Sequence, residues 1–204
     1  MQIRALNFTP KKLWTSARRA AEASATTPVY AVTKALPEGI RGKLMRFLDA
    51  VMPKKKYYCE KVSDSFYRGS EVGLSEIKAL SDKGIKRIVD LKFQNLKDAK
   101  KLKIMCEKHG ISYINIPLNV FEKPGRTVDD LKSIVKTANV DNPTYVHCKY
   151  GEDRTGFVVG LHHLFNENWS VKDVVQDMVK RGYKKHLFPH LADRLEELAA
   201  LNIL

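Results

Sequence analysis

Residues 143–156 read PTYVHCKYGEDRTG, and this stretch decides how the rest of the chain is read. PTYVHC is an apolar run of strand length. YGEDRTG is a short polar turn, and TGFVVGLHHLFNEN is a helical pattern that opens near Thr155. A strand that turns directly into a helix brings several backbone N–H groups to one point, backed by the positive end of the helix dipole. Such an arrangement holds an anion. Cys148 stands at the strand end, where those donors also favour a thiolate nucleophile. Arg154 follows six residues later, and its planar fork suits two phosphate oxygens at once. Gly151 permits the tight bend. Thr155 brings a hydroxyl beside the sulfur, where it can help the thiolate depart, and His147 orders the loop by hydrogen bonding.

Outward from this loop, the chain from Tyr57 alternates strand and helix patterns. SFYRGSE, IKRIVDLKF and ISYINIPL read as strands. LSEIKALSDKG, NLKDAKKLKIMCEKHG and TVDDLKSIVKTANV read as helices, the first two stopped by Gly84 and Gly110 and the third opened by Thr127. Three helices follow the loop, the last two being SVKDVVQDMVKRGY and LADRLEELAALNIL. The expected architecture is α/β, a mostly parallel sheet of four to five strands flanked by helices. Ligands gather beyond the C-terminal ends of such strands, which is where Cys148 lies.

The 204 residues suffice for one well-buried domain with an extension, and their 44% hydrophobic and 29% charged content is that of a folded chain. The net charge of +13 is uneven: residues 1–56 hold 12 Lys/Arg against 3 Asp/Glu, whereas residues 57–204 hold 24 against 20. We therefore divide the chain into a basic N-terminal helical extension, 1–56, and a catalytic domain, 57–204. The extension shows two helical patches separated by SATTPVY. In the second, Leu44, Phe47, Leu48, Val51 and Met52 form an apolar face with Arg41, Lys43 and Arg46 between them; Pro53 ends it and Lys54, Lys55 and Lys56 follow. That face either packs on the domain or meets an anionic membrane or acidic partner. The acid-poor start has a weak transit-peptide character. No stretch has the length and apolarity of a membrane span, no nucleic-acid motif accompanies the positive charge, and a cytoplasmic setting is the reading, with peripheral membrane contact through the extension left open.

Cys59, Cys106 and Cys148 are odd in number and form no CxxC pair, which argues against disulfides and a zinc site. Cys106 reads as a small buried hydrophobe. His162 and His163 are adjacent on a helix and face different directions, and Pro189 spoils a helical pairing of His186 with His190. All four read as structural or surface residues, and no metal or cofactor is expected.

HCKYGEDRTG resembles the HCxxGxxRTG signature of the cysteine-dependent protein tyrosine and dual-specificity phosphatases, and FYRGSE, GIKRIVDLK and YINIPL resemble strands of their small bacterial and atypical members. The resemblance spans residues 63 to 180. It implies a phosphoester hydrolase that works through a cysteinyl-phosphate: Cys148 attacks phosphorus, and Arg154 binds the phosphoryl oxygens together with the loop formed by Lys149, Tyr150, Gly151, Glu152 and Asp153. It implies no metal. The proton donor to the leaving group is open between two carboxylates. Many relatives carry an aspartate on a mobile loop about thirty residues before the cysteine; here IPLNVFEKPGRTVDD offers Glu122 as the nearest. Asp129 and Asp130 suit the first turn of a helix instead. Myotubularins and certain bacterial phosphatases carry an aspartate just before the loop arginine, and similarity to them favours Asp153. The substrate expected is a phosphorylated protein accepted with dual specificity. Phosphoinositide or inositol-polyphosphate hydrolysis is the alternative, helped by Lys149 and opposed by Glu152, and an inactive phosphate-binding module is the alternative of another class. Lys184, Lys185 and Arg126 either add positive field or form an ordinary solvated surface, and Tyr150 either lines the mouth or packs.

Overall fold

The computed structural model describes residues 38–53 and 56–201. The first helical patch of the extension, Lys54 and Lys55 lie outside the described residues.

Five strands form one sheet: β1 (Cys59–Lys61), β2 (Phe66–Gly69), β3 (Arg87–Asp90), β4 (Ser112–Asn115) and β5 (Thr144–His147), in the order β1-β2-β5-β3-β4. Only the β1–β2 pair is antiparallel. Seven helices complete the described residues: α1 (Glu38–Val51), α2 (Leu74–Asp82), α3 (Leu96–Lys108), α4 (Thr127–Thr137), α5 (Asp153–Asn166), α6 (Val171–Lys180) and α7 (Pro189–Ala200). None is long and apolar enough to cross a membrane.

Successive strand side chains leave the sheet on opposite faces, and both faces here are covered. Val89, Val146 and Phe66 join the core that carries α4 to α7, whereas Ile88 and Tyr145 join the core beneath α2 and α3. Strands buried on both sides read as near-continuous apolar runs, which is why β3 and β5 are visible in the sequence. Three-residue β1 is half-exposed and carries no such signal; it is a strand the pattern does not predict. α2 and α3 are followed by Gly84 and Gly110 at φ 82° and 68°, the left-handed conformation that ends helices at little cost.

β5 is the central strand, paired with β2 on one side and β3 on the other, so Gly69, His147 and Asp90 stand in register at the sheet's C-terminal edge. α5 leaves that edge buried over its whole length from Arg154 to Leu164, since TGFVVGLHHLF is apolar on every face. α6 and α7 pack closely across it at Gly160, where an added Cβ would lie 2.8 Å from Val174 Cγ1 and 3.1 Å from Leu195 Cδ1.

α1 docks on the domain, though not by the face its periodicity suggests. Met45 and Asp49, one turn apart, are its buried residues; Leu44 and Leu48 flank them, and Val51 is exposed. Met45 packs with Val120 and Phe121, so the helix lies against the segment that follows β4.

Candidate active site

Cys148 leaves the end of β5 and is 3% exposed, with its Sγ accepting the Gly151 N–H at 3.3 Å. Gly151 has φ +73°, and a Cβ there would lie 2.2 Å from Tyr58 Oη and 2.5 Å from the Gly69 carbonyl oxygen. Backbone conformation and space both demand glycine. The Gly151 carbonyl is held from below by Arg68 Nη2 at 2.6 Å and Tyr58 Oη at 3.0 Å. Arg68 is fully buried in β2, and its Nε and Nη1 make no hydrogen bond among the described residues.

The helix predicted to open near Thr155 opens two residues earlier, at Asp153, because the turn is tight enough for Gly156 N–H to reach the Glu152 carbonyl at 2.7 Å. Arg154 therefore belongs to the first turn of α5. Its Nη1 and Nη2 donate to Asp49 Oδ2 and Oδ1 at 2.8 and 2.6 Å, and Nη1 also donates to the Leu91 carbonyl at 3.2 Å. Burial opposes the guanidinium charge, but the Asp49 hydrogen bonds and the nearby Cys148 outweigh it and raise the Arg154 pKa. The Thr155 hydroxyl is buried with no hydrogen-bond partner among the described residues. His147 is buried beneath the loop, with Nδ1 3.4 Å from the Cys148 carbonyl and 3.9 Å from Asp90 Oδ1. Burial lowers its pKa, with Asp90 acting in the opposite direction.

Lys149 is not a free cation. It is buried, 3.0 Å from Glu71 Oε2, and donates to the Asp49 carbonyl at 2.9 Å. Glu71 also pairs with Lys92. Glu152 meets Lys184 Nζ at 2.6 Å, and Tyr150 is half-buried. Of the cations offered as a positive field, Lys184 therefore belongs to the loop's surroundings.

The two carboxylates differ in setting. Asp153 accepts the Lys184 N–H at 2.8 Å and lies 3.8 Å from Lys184 Nζ; burial raises its pKa, with Lys184 acting in the opposite direction. Glu122 Oε1 is 3.4 Å from Arg41 Nη1 and lines a cavity of about 260 Å³ with Gly42, Phe93 and Pro117. Asp129 and Asp130 occupy the first turn of α4.

Other expectations resolve away from the site. Cys106 is buried on the inner face of α3 and its thiol is pushed up to about 12 by burial. His162 and His163 do not diverge: Nε2 of one and Nδ1 of the other lie 3.2 and 2.7 Å from the two oxygens of Glu167. The reason is that Glu167 sits just past the end of α5, within reach of both rings. His190 is buried in α7, and His186 is exposed.

Asp49, Arg68, Glu71 and Lys92 surround the loop and escape a reading by motif. Arg68 lies inside the FYRG strand, where nothing distinguishes it from a solvated alternate position. Asp49 lies 105 residues before Arg154, beyond the reach of any local pattern.

The family described as DSP-PTPase phosphatase fused to NAD+ kinase matches residues 46–188. No curated protein matches the chain. Among solved structures, a DUF442 protein of Shewanella putrefaciens CN-32 superposes with a TM-score of 0.59 at 13% identity, covering 76% of this chain and 95% of that one. TpbA of P. aeruginosa gives 0.55 at 13% identity, with coverages of 73% and 96%. PTPMT1 gives 0.55 at 15%, with 72% and 99%. At these identities the likeness carries the fold, and the family match carries the rest. The chain is a member of the DSP-PTPase family of cysteine-based phosphatases.

Proposed function

We propose that the protein hydrolyses phosphomonoesters of proteins, with dual specificity, through a cysteinyl-phosphate on Cys148. The observation that carries this reading is the meeting of three features at one sheet edge: a sulfur bonded to a loop N–H, a buried guanidinium in the first turn of α5, and a glycine fixed between them. The Cys148 thiolate attacks phosphorus and the ester P–O bond breaks. Arg154 and the loop amides stabilise the charge on the transferring oxygens. The Asp153 carboxyl gives its proton to the leaving oxygen. Its burial, which raises the pKa, favours this role over Glu122. Water then attacks phosphorus and passes a proton to the Asp153 carboxylate. The P–S bond breaks, and the Thr155 hydroxyl, which has no partner at rest, donates to the departing sulfur.

A second reading is a phosphoinositide or inositol-polyphosphate substrate. A cavity of about 620 Å³ beside the loop is lined by Lys43, Arg46, Lys92 and Lys149, which could hold a further phosphate. Against it, Lys92 and Lys149 are both already engaged by Glu71, which offsets one of their two charges. The structural neighbours divide in the same way, with TpbA crystallised in complex with pTyr and PTPMT1 with PI(5)P.

A panel of phosphotyrosyl and phosphothreonyl peptides and phosphoinositides, run on the intact protein and on Cys148→Ser with and without vanadate, tests these readings. Peptide turnover that vanadate stops and Cys148→Ser lacks is expected. A preference of about tenfold in kcat/KM, roughly 1.4 kcal/mol at the transition state, for phosphoinositides moves the assignment to lipid. Phosphopeptide binding without turnover leaves an inactive phosphate-binding module.

A further inference from the structure

The geometry points to Asp49, on the helix we first set apart as an extension, as the positioning residue for Arg154, so that the catalytic unit includes α1. This rests on the reading of Arg154 as the phosphate-binding group.

A guanidinium has five N–H donors. Two of them, one on each Nη, go to the Asp49 carboxylate, and the second on Nη1 goes to the Leu91 carbonyl. Those three bonds close one end of the group. Nε and the second N–H of Nη2 make no hydrogen bond among the described residues. They lie side by side along one edge, the pair that receives two oxygens of a phosphate in parallel.

Asp49 does not occupy the phosphate's place. Its remaining hydrogen bond comes from the Phe93 N–H at 3.0 Å, in the segment after β3, outside the Cys148–Arg154 loop. The carboxylate thus grips the guanidinium from the β3 side and fixes its plane. Its own position is fixed in turn. Lys149 of the loop donates to the Asp49 carbonyl, Met45 one turn earlier seats on Val120 and Phe121, and Arg41 stands beside Glu122. The Asp49 side chain is 6% exposed and that of Arg154 7%, so solvent does little to weaken the pair.

The test measures kcat, KM and vanadate affinity for Asp49→Asn and Asp49→Glu in the full chain, with thermal midpoints alongside. Asp49→Asn is expected to lower kcat/KM by about 10- to 100-fold and to weaken vanadate binding by a similar factor while the protein stays folded at the assay temperature. Asp49→Glu is expected to recover part of both. A loss of folded fraction alone would leave the vanadate affinity of the remaining molecules unmoved, and that result overturns the proposal. So does unchanged activity. A rise in kcat/KM overturns it too, since the carboxylate would then be competing with substrate. Should Asp49→Asn not fold, Met45→Ala loosens the seat of α1 while keeping the carboxylate: weakened vanadate binding supports the proposal and unaltered binding overturns it. Wild-type protein that neither turns over phosphoesters nor binds vanadate overturns the parent reading, and this one with it; an active wild type with an indifferent Asp49 overturns this one alone.

Discussion

The Asp153 carboxyl holds its proton above the ordinary carboxylate range because it is buried, and Lys184 only partly opposes this. The acid proposed above must be protonated to act, so kcat for a substrate with a poor leaving group is expected to decline as pH rises through the raised Asp153 value. Asp153→Asn removes that alkaline limb and lowers kcat by about 10²-fold or more on the poor leaving group, with a much smaller effect on an activated aryl phosphate. Rate profiles on the two substrates check it. If Glu122→Gln shows this pattern instead, the acid is Glu122. At Gly151, alanine must adopt φ +73° and meet Tyr58 Oη at 2.2 Å. The strained backbone costs on the order of 1–3 kcal/mol, and relief of the clash moves the loop. Gly151→Ala is therefore expected to abolish measurable turnover and to lower the thermal midpoint, both read on the purified variant.

At the scale of elements, the packing of α5 sets a second expectation. Gly160→Ala puts a methyl 2.8 Å from Val174 Cγ1, and overpacking of this kind costs about 1–3 kcal/mol. The second mutation Val174→Ala should recover most of it, which urea titrations of the single and double variants measure. Elements also mark how far a sequence can be read. β3, β5, α2, α3 and α4 are legible because buried strands and amphipathic helices repeat locally, and Cys148, Gly151 and Arg154 are legible because one turn holds all three. β1 is too short and half-exposed to register. Asp49 is hidden for a different reason: in a helix with basic residues at Arg41, Lys43 and Arg46, a carboxylate looks like ordinary surface balance, and only the folded chain brings it to Arg154. The partners of Lys149 are hidden for the same cause, since Glu71 and the Asp49 carbonyl reach it from distant segments.

Across the whole molecule, charge is concentrated at the C-terminal edge of the sheet, and this governs its response to acid. Asp90 is fully buried beneath the loop. Burial favours its neutral form, yet His147, Lys92, Gln94 Nε2 and the Lys92 N–H together hold its carboxyl below the usual value. Glu71 is held low in the same way against its own burial by Lys92 and Lys149. A carboxyl depressed in the folded state stabilises fully above its unfolded pKa, about 4, and the contribution drains away as pH falls through that value towards the folded one. Urea midpoints between pH 3 and 7 are expected to fall steeply at the acid end, and Asp90→Asn should flatten the curve while lowering its neutral plateau.

α5 has no solvent face along most of its length, and the guanidinium that would receive the phosphate stands in its first turn. Loosening the core around α5 would therefore displace that guanidinium. On heating, turnover and the circular-dichroism signal should vanish together, which makes an activity assay a gauge of the intact fold.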